Sequence, residues 1–127
     1  MSGVGVTGFD HLVLTVAAIE PALAFYCGTL GLEPVRVDRW RAGEAPFPSV
    51  RVNADTIIDL VEGEPSGSNV DHFCLVVEPL DWQSVIDSGM FTVLTGPVSR
   101  FGARGTATSI YVRDPDGNTV ELRWYPE

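Results

Sequence analysis

The sequence predicts an α+β fold: two tandem βαβββ modules forming a curved mixed sheet with a cleft on one face. Three observations predict it. Asp10-His11-Leu12-Val13-Leu14-Thr15-Val16 and Asp71-His72-Phe73-Cys74-Leu75-Val76-Val77 read as one element written twice, with the histidines sixty-one positions apart. Both stretches alternate and are rich in β-branched residues, the pattern of a strand with one face on a core. Ile58-Asp59-Leu60 then recurs as Val120-Glu121-Leu122, sixty-two residues on. Finally, each histidine-bearing stretch is followed by a helical pattern and then by further strands. A half of roughly 60 residues cannot bury both faces of its own sheet, so two halves pack into one domain.

The elements follow in order. Residues 1 to 7 form a loose end, and the first strand is Phe9 to Val16. A helix is expected over Ile19 to Leu30, with Pro21 in its first turn, where a missing N–H costs nothing. Leu23, Tyr26, Cys27 and Leu30 make its core stripe, and Gly31 its left-handed cap. Strands are expected at Glu33 to Arg39, Pro48 to Val52 and Thr56 to Glu62. Trp40 to Phe47 reads as an aromatic loop without periodicity. The first module is therefore about 8–63, a breaker-rich linker is 63–69, and the second module is about 70–125, all within one domain of residues 1–127. In the second module a strand from Val70 to Val77 leads to a short helix near Asp81 to Ser88, with Asp81 as N-cap and Gly89 as stop. Strands follow at Phe91 to Thr95, Ser109 to Arg113 and Thr119 to Tyr125. The segment Asp114-Pro115-Asp116-Gly117-Asn118 is a turn whose acidic residues serve the turn rather than a metal.

Composition excludes several classes. The net charge of −9 opposes binding to nucleic acid. No apolar run reaches the roughly 18 residues of a membrane span, and the amino terminus lacks a signal peptide's basic start and apolar stretch. A cytoplasmic protein is the expectation. All eight basic residues are arginine, so neither a Schiff base nor a lysine phosphate clamp is available. Cys27 and Cys74 lack redox or metal-type spacing and read as buried free thiols.

Strand parity gives His11, Asp59, His72 and Glu121 apolar neighbours: Leu12, Ile58, Leu60, Phe73, Val120 and Leu122. Those neighbours face the helices, which turns the four polar side chains to the opposite, cleft-forming face. A carboxylate buried there without a partner costs several kcal/mol or takes up a proton. A divalent metal removes that cost. Two imidazoles with one or two carboxylates suit one Zn²⁺, Ni²⁺, Mn²⁺ or Fe²⁺ ion per site. Asp59, one methylene shorter than Glu121, is the weakest member of the set. Arg100 and Arg104 lie in a Gly-punctuated loop and are candidates to hold a substrate carboxylate or phosphate, with a solvated hairpin loop as the plain alternative. Tyr111 and Arg123 are further pocket candidates. Arg123 shares parity with Glu121, so it can meet a substrate or neutralise Asp59. Trp40 and Phe47 are candidates for a lid.

The stretch Asp10 to Val16, the helix Ala24-Phe25-Tyr26 through Leu30-Gly31-Leu32, and Tyr111 through Leu122 together resemble the vicinal oxygen chelate superfamily. That group contains glyoxalase I, fosfomycin-resistance enzymes, extradiol dioxygenases and bleomycin-resistance proteins. Gly96-Pro97-Val98 and Arg100 through Gly105 to Ser109-Ile110-Tyr111 also resemble a glyoxalase-domain subgroup sometimes called virulence-associated. The resemblance implies a homodimer whose metal holds a small substrate through two oxygens on adjacent atoms. It implies His11, His72 and Glu121 as ligands, with Asp59 at the place of a fourth, in a site made within one chain or shared between two. It further implies a metal acting as Lewis acid, with Glu121 or Asp59 moving a proton.

Isomerase or lyase chemistry is favoured over extradiol dioxygenation, because the chain has no third histidine for acid–base work. Asp59 replaces the glutamate usual in glyoxalases. Fosfomycin-type thiol transfer lacks its lysine and has Val13 where a threonine is expected. The alternative is a non-catalytic, bleomycin-resistance-like protein that sequesters a cationic drug or metabolite. Overall acidity and the aromatic faces of Trp40, Trp82 and Trp124 favour it.

Overall fold

Alternating sequence forms strands and 3.6-periodic sequence forms helices in the computed structural model, which describes residues 3–115 and 117–126. The elements are β1 (Val6–Val16), α1 (Ile19–Leu23, continuing as a π-helical segment at Ala24–Thr29), β2 (Glu33–Val35), α2 (Val37–Arg41), β3 (Ser49–Asn53) and β4 (Thr56–Glu62). They continue with β5 (Val70–Val77), α3 (Trp82–Asp87), β6 (Thr92–Arg100), β7 (Ala107–Arg113) and β8 (Thr119–Arg123). The fold class is α+β, as the sequence predicts. Among the described residues no helix is long and apolar enough to cross a membrane.

Contacts divide the chain into two units, one of residues 11–71 and one of residues 3–10 with 72–126. In the first, the end of β1 runs parallel to β4, while β3 is antiparallel to both β4 and β2. Its strand order is β1-β4-β3-β2. In the second, β5 runs parallel to β8, and β7 is antiparallel to both β8 and β6. Its order, β5-β8-β7-β6, repeats the first. The registers repeat as well: Val13 lies opposite Asp59 and Cys74 opposite Glu121. Each histidine therefore stands two residues before the partner of its carboxylate.

In residues 11–71 the core is Ile19, Leu23, Val37, Val50 and Leu60, with Leu14, Ile58, Tyr26, Cys27 and Trp40 against it. In the other unit it is Val77, Trp82, Val85, Ile110, Val112 and Leu122, joined by Leu75, Val120 and Trp124. Each of these large side chains contributes about 1.5–3 kcal/mol when fully buried. The apolar neighbours of Asp59 and Glu121 thus face the helices, which leaves both carboxylates on the opposite sheet face.

Asp81 caps α3 as expected, its carboxylate accepting from the Ser84 amide at 3.1 Å and the Ser84 hydroxyl at 2.7 Å. Asp114 accepts from the Asn118 amide at 2.8 Å in the expected turn. Asp116 of that turn, like Met1 and Ser2 of the expected loose end, lies outside the described residues. Cys27 and Cys74 are free thiols; burial pushes the Cys27 thiol pKa upward.

Three expectations are corrected. The helix expected through Leu30 widens into π-helix after Leu23, with Leu30 N–H donating to the Phe25 carbonyl at 2.9 Å. The wider turn breaks the 3.6-residue stripe, and Leu30 ends 55% exposed. The strand expected through Arg39 stops at Val35, because Arg36 adopts a left-handed φ of 59° and the chain turns into α2. Val37 and Trp40, three apart on that helix, both pack on the core, so the segment gains burial as helix. Finally, β6 runs on to Arg100, which is therefore a strand residue and not part of a loop. Within β6, position 96 needs glycine, because a Cβ there would lie 2.7 Å from the Ser109 carbonyl oxygen of β7.

Candidate metal centre

β5 and β8 bring His72 and Glu121 together, with His72 Nε2 3.0 Å from Glu121 Oε1. Glu121 is 1% exposed. Its other oxygen, Oε2, accepts from the Ser109 hydroxyl at 2.7 Å and from Arg123 Nη2 at 2.7 Å. Those two donors stabilise the ionised carboxylate in its buried position. The Tyr111 ring stands edge-on to the His72 ring, 5.2 Å between centroids. Burial and the Glu121 charge push the Tyr111 phenol well above its ordinary pKa, so it stays protonated. Arg100 lies over the outer face of Tyr111, 5.8 Å from the ring centroid.

β1, β3 and β4 build a matching cluster in residues 11–71. His11 Nε2 is 3.6 Å from Asp59 Oδ2, and both side chains are buried. Asp59 Oδ1 accepts from the Ser49 hydroxyl at 2.5 Å, and Arg36 Nη2 lies 3.6 Å from that same oxygen while donating to Ser49 at 2.5 Å. The Arg36 guanidinium rests over the Phe47 ring at 5.4 Å. Ser49 sits directly opposite Asp59 in the ladder. Ser109 sits one strand repeat away from the residue opposite Glu121, which is Tyr111. The longer glutamate reaches a diagonal serine where the aspartate meets a facing one.

Behind Glu121 lies a second buried network. Arg123 donates from Nη2 to the Phe101 carbonyl at 2.8 Å, and from Nη1 to Tyr125 Oη at 3.1 Å and the Gly105 carbonyl at 3.3 Å. The Tyr125 hydroxyl donates to Asp10 at 2.6 Å, and the Ala103 amide donates to the other Asp10 oxygen at 3.0 Å. Desolvation first, and then the Asp10 hydrogen bond, push the Tyr125 pKa up to about 12. The 101–105 loop is thereby tied to β8. Arg104 leaves this loop exposed, its guanidinium stacked 4.3 Å from the Tyr125 ring centroid.

The structure therefore pairs His72 with Glu121 and His11 with Asp59, and sets Tyr111 beside His72. Arg123 neutralises Glu121, whereas the arginine facing Asp59 is Arg36. Arg123 is fully buried and its amino groups donate to Glu121, Tyr125 and the Phe101 and Gly105 carbonyls. Trp40, half-buried, packs on the helix-facing core, the sheet face opposite Asp59. Trp82 and Trp124 likewise join the core of their unit. Of the three tryptophans Trp82 is buried, and Trp40 and Trp124 are half-buried. Sequence reasoning missed Ser49, Ser109, Arg36, Asp10 and Tyr125. Ser49-Val50 and Ser109-Ile110 stand sixty apart, nearly the repeat spacing, and that echo was the available signal. Arg36 has no counterpart in the repeat.

The donor chemistry fits a divalent ion. An imidazole nitrogen and a carboxylate oxygen face each other, and the second oxygen of that carboxylate is already held by protein donors, the arrangement that orients metal ligands. The family model of the Glyoxalase/Bleomycin resistance protein/Dioxygenase superfamily matches residues 8–122, and the chain belongs to that superfamily. Within it, the chain is 33% identical over 120 residues to Virulence protein STM3117 of Salmonella typhimurium, covering 91% of this chain and 83% of that protein. It is 33% identical over 127 residues to Glyoxalase domain-containing protein RDO1 of Mycosarcoma maydis, covering 96% and 70%. Both agree with the virulence-associated resemblance read from residues 96–111. The fold matches that of the Mn(II)-bound glyoxalase from Novosphingobium aromaticivorans with a TM-score of 0.69 at 20% identity, over 94% of this chain and 39% of that one.

Proposed function

We propose that this single-domain chain is a divalent-metal-dependent enzyme acting on a small substrate bound through two vicinal oxygens, with isomerase or lyase chemistry favoured. The observation that carries the reading is the His72–Glu121 pair, ligand atom to ligand atom at 3.0 Å, built on a buried carboxylate. His11, His72 and Glu121 are the proposed ligands of one Zn²⁺, Ni²⁺, Mn²⁺ or Fe²⁺ ion. The structurally similar glyoxalase from Novosphingobium aromaticivorans is bound to Mn(II), which supports a metal of this class. Such a metal supplies Lewis acidity to a coordinated oxygen.

The protein's own groups divide the remaining work. Glu121 is fixed by its arginine at 2.7 Å, whereas the arginine of Asp59 stands 3.6 Å off. Asp59 is therefore the carboxylate we assign to proton transfer, in place of fourth-ligand duty. Tyr111, kept protonated beside His72, offers a hydroxyl donor to a bound oxygen, and Arg100 over its ring adds positive charge for an anionic group. Arg104 remains the second candidate for that anion.

The proposed assembly is a homodimer, the state usual among the relatives the sequence resembles. Equilibrium dialysis against Mn²⁺ tests the site: about one ion per chain is expected for the parent and none for Glu121→Ala. Full retention by Glu121→Ala refutes it. Mixing His11→Ala with Glu121→Ala chains should restore one good site in each mixed dimer if the site is shared between subunits, and restore nothing if each chain builds its own.

A further inference from the structure

We infer that Ser109 is a positioning residue that makes Glu121 a one-oxygen ligand. The inference rests on the metal reading above and extends it to how the carboxylate presents itself. The Ser109 hydroxyl donates to Oε2 at 2.7 Å, Arg123 Nη2 donates to the same oxygen at 2.7 Å, and Oε1 is turned toward His72 Nε2 at 3.0 Å. Ser109 is fully buried and Glu121 nearly so. The two donors converge on one oxygen and so fix the rotation of the carboxylate plane. A carboxylate that binds through a single oxygen fills one coordination position rather than two. The other position stays open to a substrate oxygen, which chelation through two vicinal oxygens requires.

An independent observation points the same way. The other unit repeats the arrangement with different parts: Ser49 donates to Asp59 Oδ1 at 2.5 Å while Oδ2 faces His11 Nε2 at 3.6 Å. Here the serine is directly opposite the acid in the ladder, and the arginine comes from the β2–α2 junction. Residue spacing, ladder position and the source of the arginine all differ, yet a serine again donates to one carboxylate oxygen and a histidine faces the other, the arginine here donating to the serine and standing 3.6 Å from the acid. A hydroxyl suits this task because it is a compact donor that leaves the carboxylate its charge.

The test uses chelator-stripped full-length protein, Mn²⁺ affinity by competition with a chromophoric chelator, and the visible absorption of the Co²⁺-loaded form. Ser109→Ala should bind Mn²⁺ about 10–100-fold more weakly, with an altered Co²⁺ spectrum as Oε2 turns toward the ion. Ser109→Thr, which keeps the hydroxyl, should restore both. Parent-like affinity and spectrum in Ser109→Ala, alongside lost binding in Glu121→Ala, overturns the inference and leaves the metal site standing. Metal retained in Glu121→Ala overturns the metal reading itself. If Ser109→Ala fails to fold by circular dichroism, Ser109→Cys, close in volume but a weak donor, carries the same comparison with the same two outcomes.

Discussion

Arg123 and Glu121, two residues apart on β8, meet through Nη2 and Oε2 at 2.7 Å with side chains 0% and 1% exposed. Removing two charges from water costs several kcal/mol per ion, which their attraction offsets only when the remaining hydrogen-bonding positions are filled. Here most are filled: Ser109 on the acid, and the carbonyls of Phe101 and Gly105 with the Tyr125 oxygen on the base, only Arg123 Nε lacking a partner among the described residues. The pair consequently fixes a proposed ligand and a loop with one side chain.

Arg123→Met should lower stability by about 3–5 kcal/mol, the cost of stranding a buried charge, as read from urea unfolding. Arg123→Lys should recover only a small part, because one ammonium cannot reproduce the planar fork that spans these acceptors.

Gly102 lies where the Arg123 guanidinium and the Tyr125 hydroxyl pass, and a Cβ there would fall on both. Gly102→Ala should cost about 1–3 kcal/mol by overpacking and should weaken metal binding, since Arg123 must shift off Glu121. Unfolding and Mn²⁺ competition on the same variant measure the two effects.

The Tyr125 pKa is raised from 10.0 to about 12, so the folded protein holds that proton more tightly than the unfolded chain does. Its contribution to stability is complete below pH 10 and falls away as pH rises through about 12. Tyr125→Phe should remove this alkaline loss while lowering stability at neutral pH. Unfolding midpoints across that range, with tyrosinate absorbance followed in parallel, check the sign.

Leu23 and Leu30 separate the α-helical stripe from the π-helical one. Leu23→Ala should cost about 2–5 kcal/mol, as at other buried leucines. Leu30→Ala, at a side chain left 55% exposed, should stay within about 0.5 kcal/mol. Thermal unfolding of both variants decides it.

The duplicated Asp-His and apolar-acid-apolar motifs carried the fold class and the repeat, because strand parity is a strict period of two; which carboxylate each histidine faces was not legible in them. What escaped the sequence depends on distances that parity does not encode. Ser109 reaches Glu121 along a diagonal, Arg36 arrives through a left-handed turn, and Tyr125 finds Asp10 across 115 positions. The helix failed at the point where its hydrogen bonding changed register, which a 3.6-residue template cannot detect. The segment holding Trp40 looks aperiodic in sequence because the five-residue α2 is too short for its period to show.

The most direct measurement is metal content by mass spectrometry on untagged protein purified without chelator, beside His72→Ala. A metal centre that needs His72 should give about one divalent ion per chain in the parent and near none in the variant, with both folded by circular dichroism. Equal metal in parent and variant, or none in either after reconstitution, would contradict it.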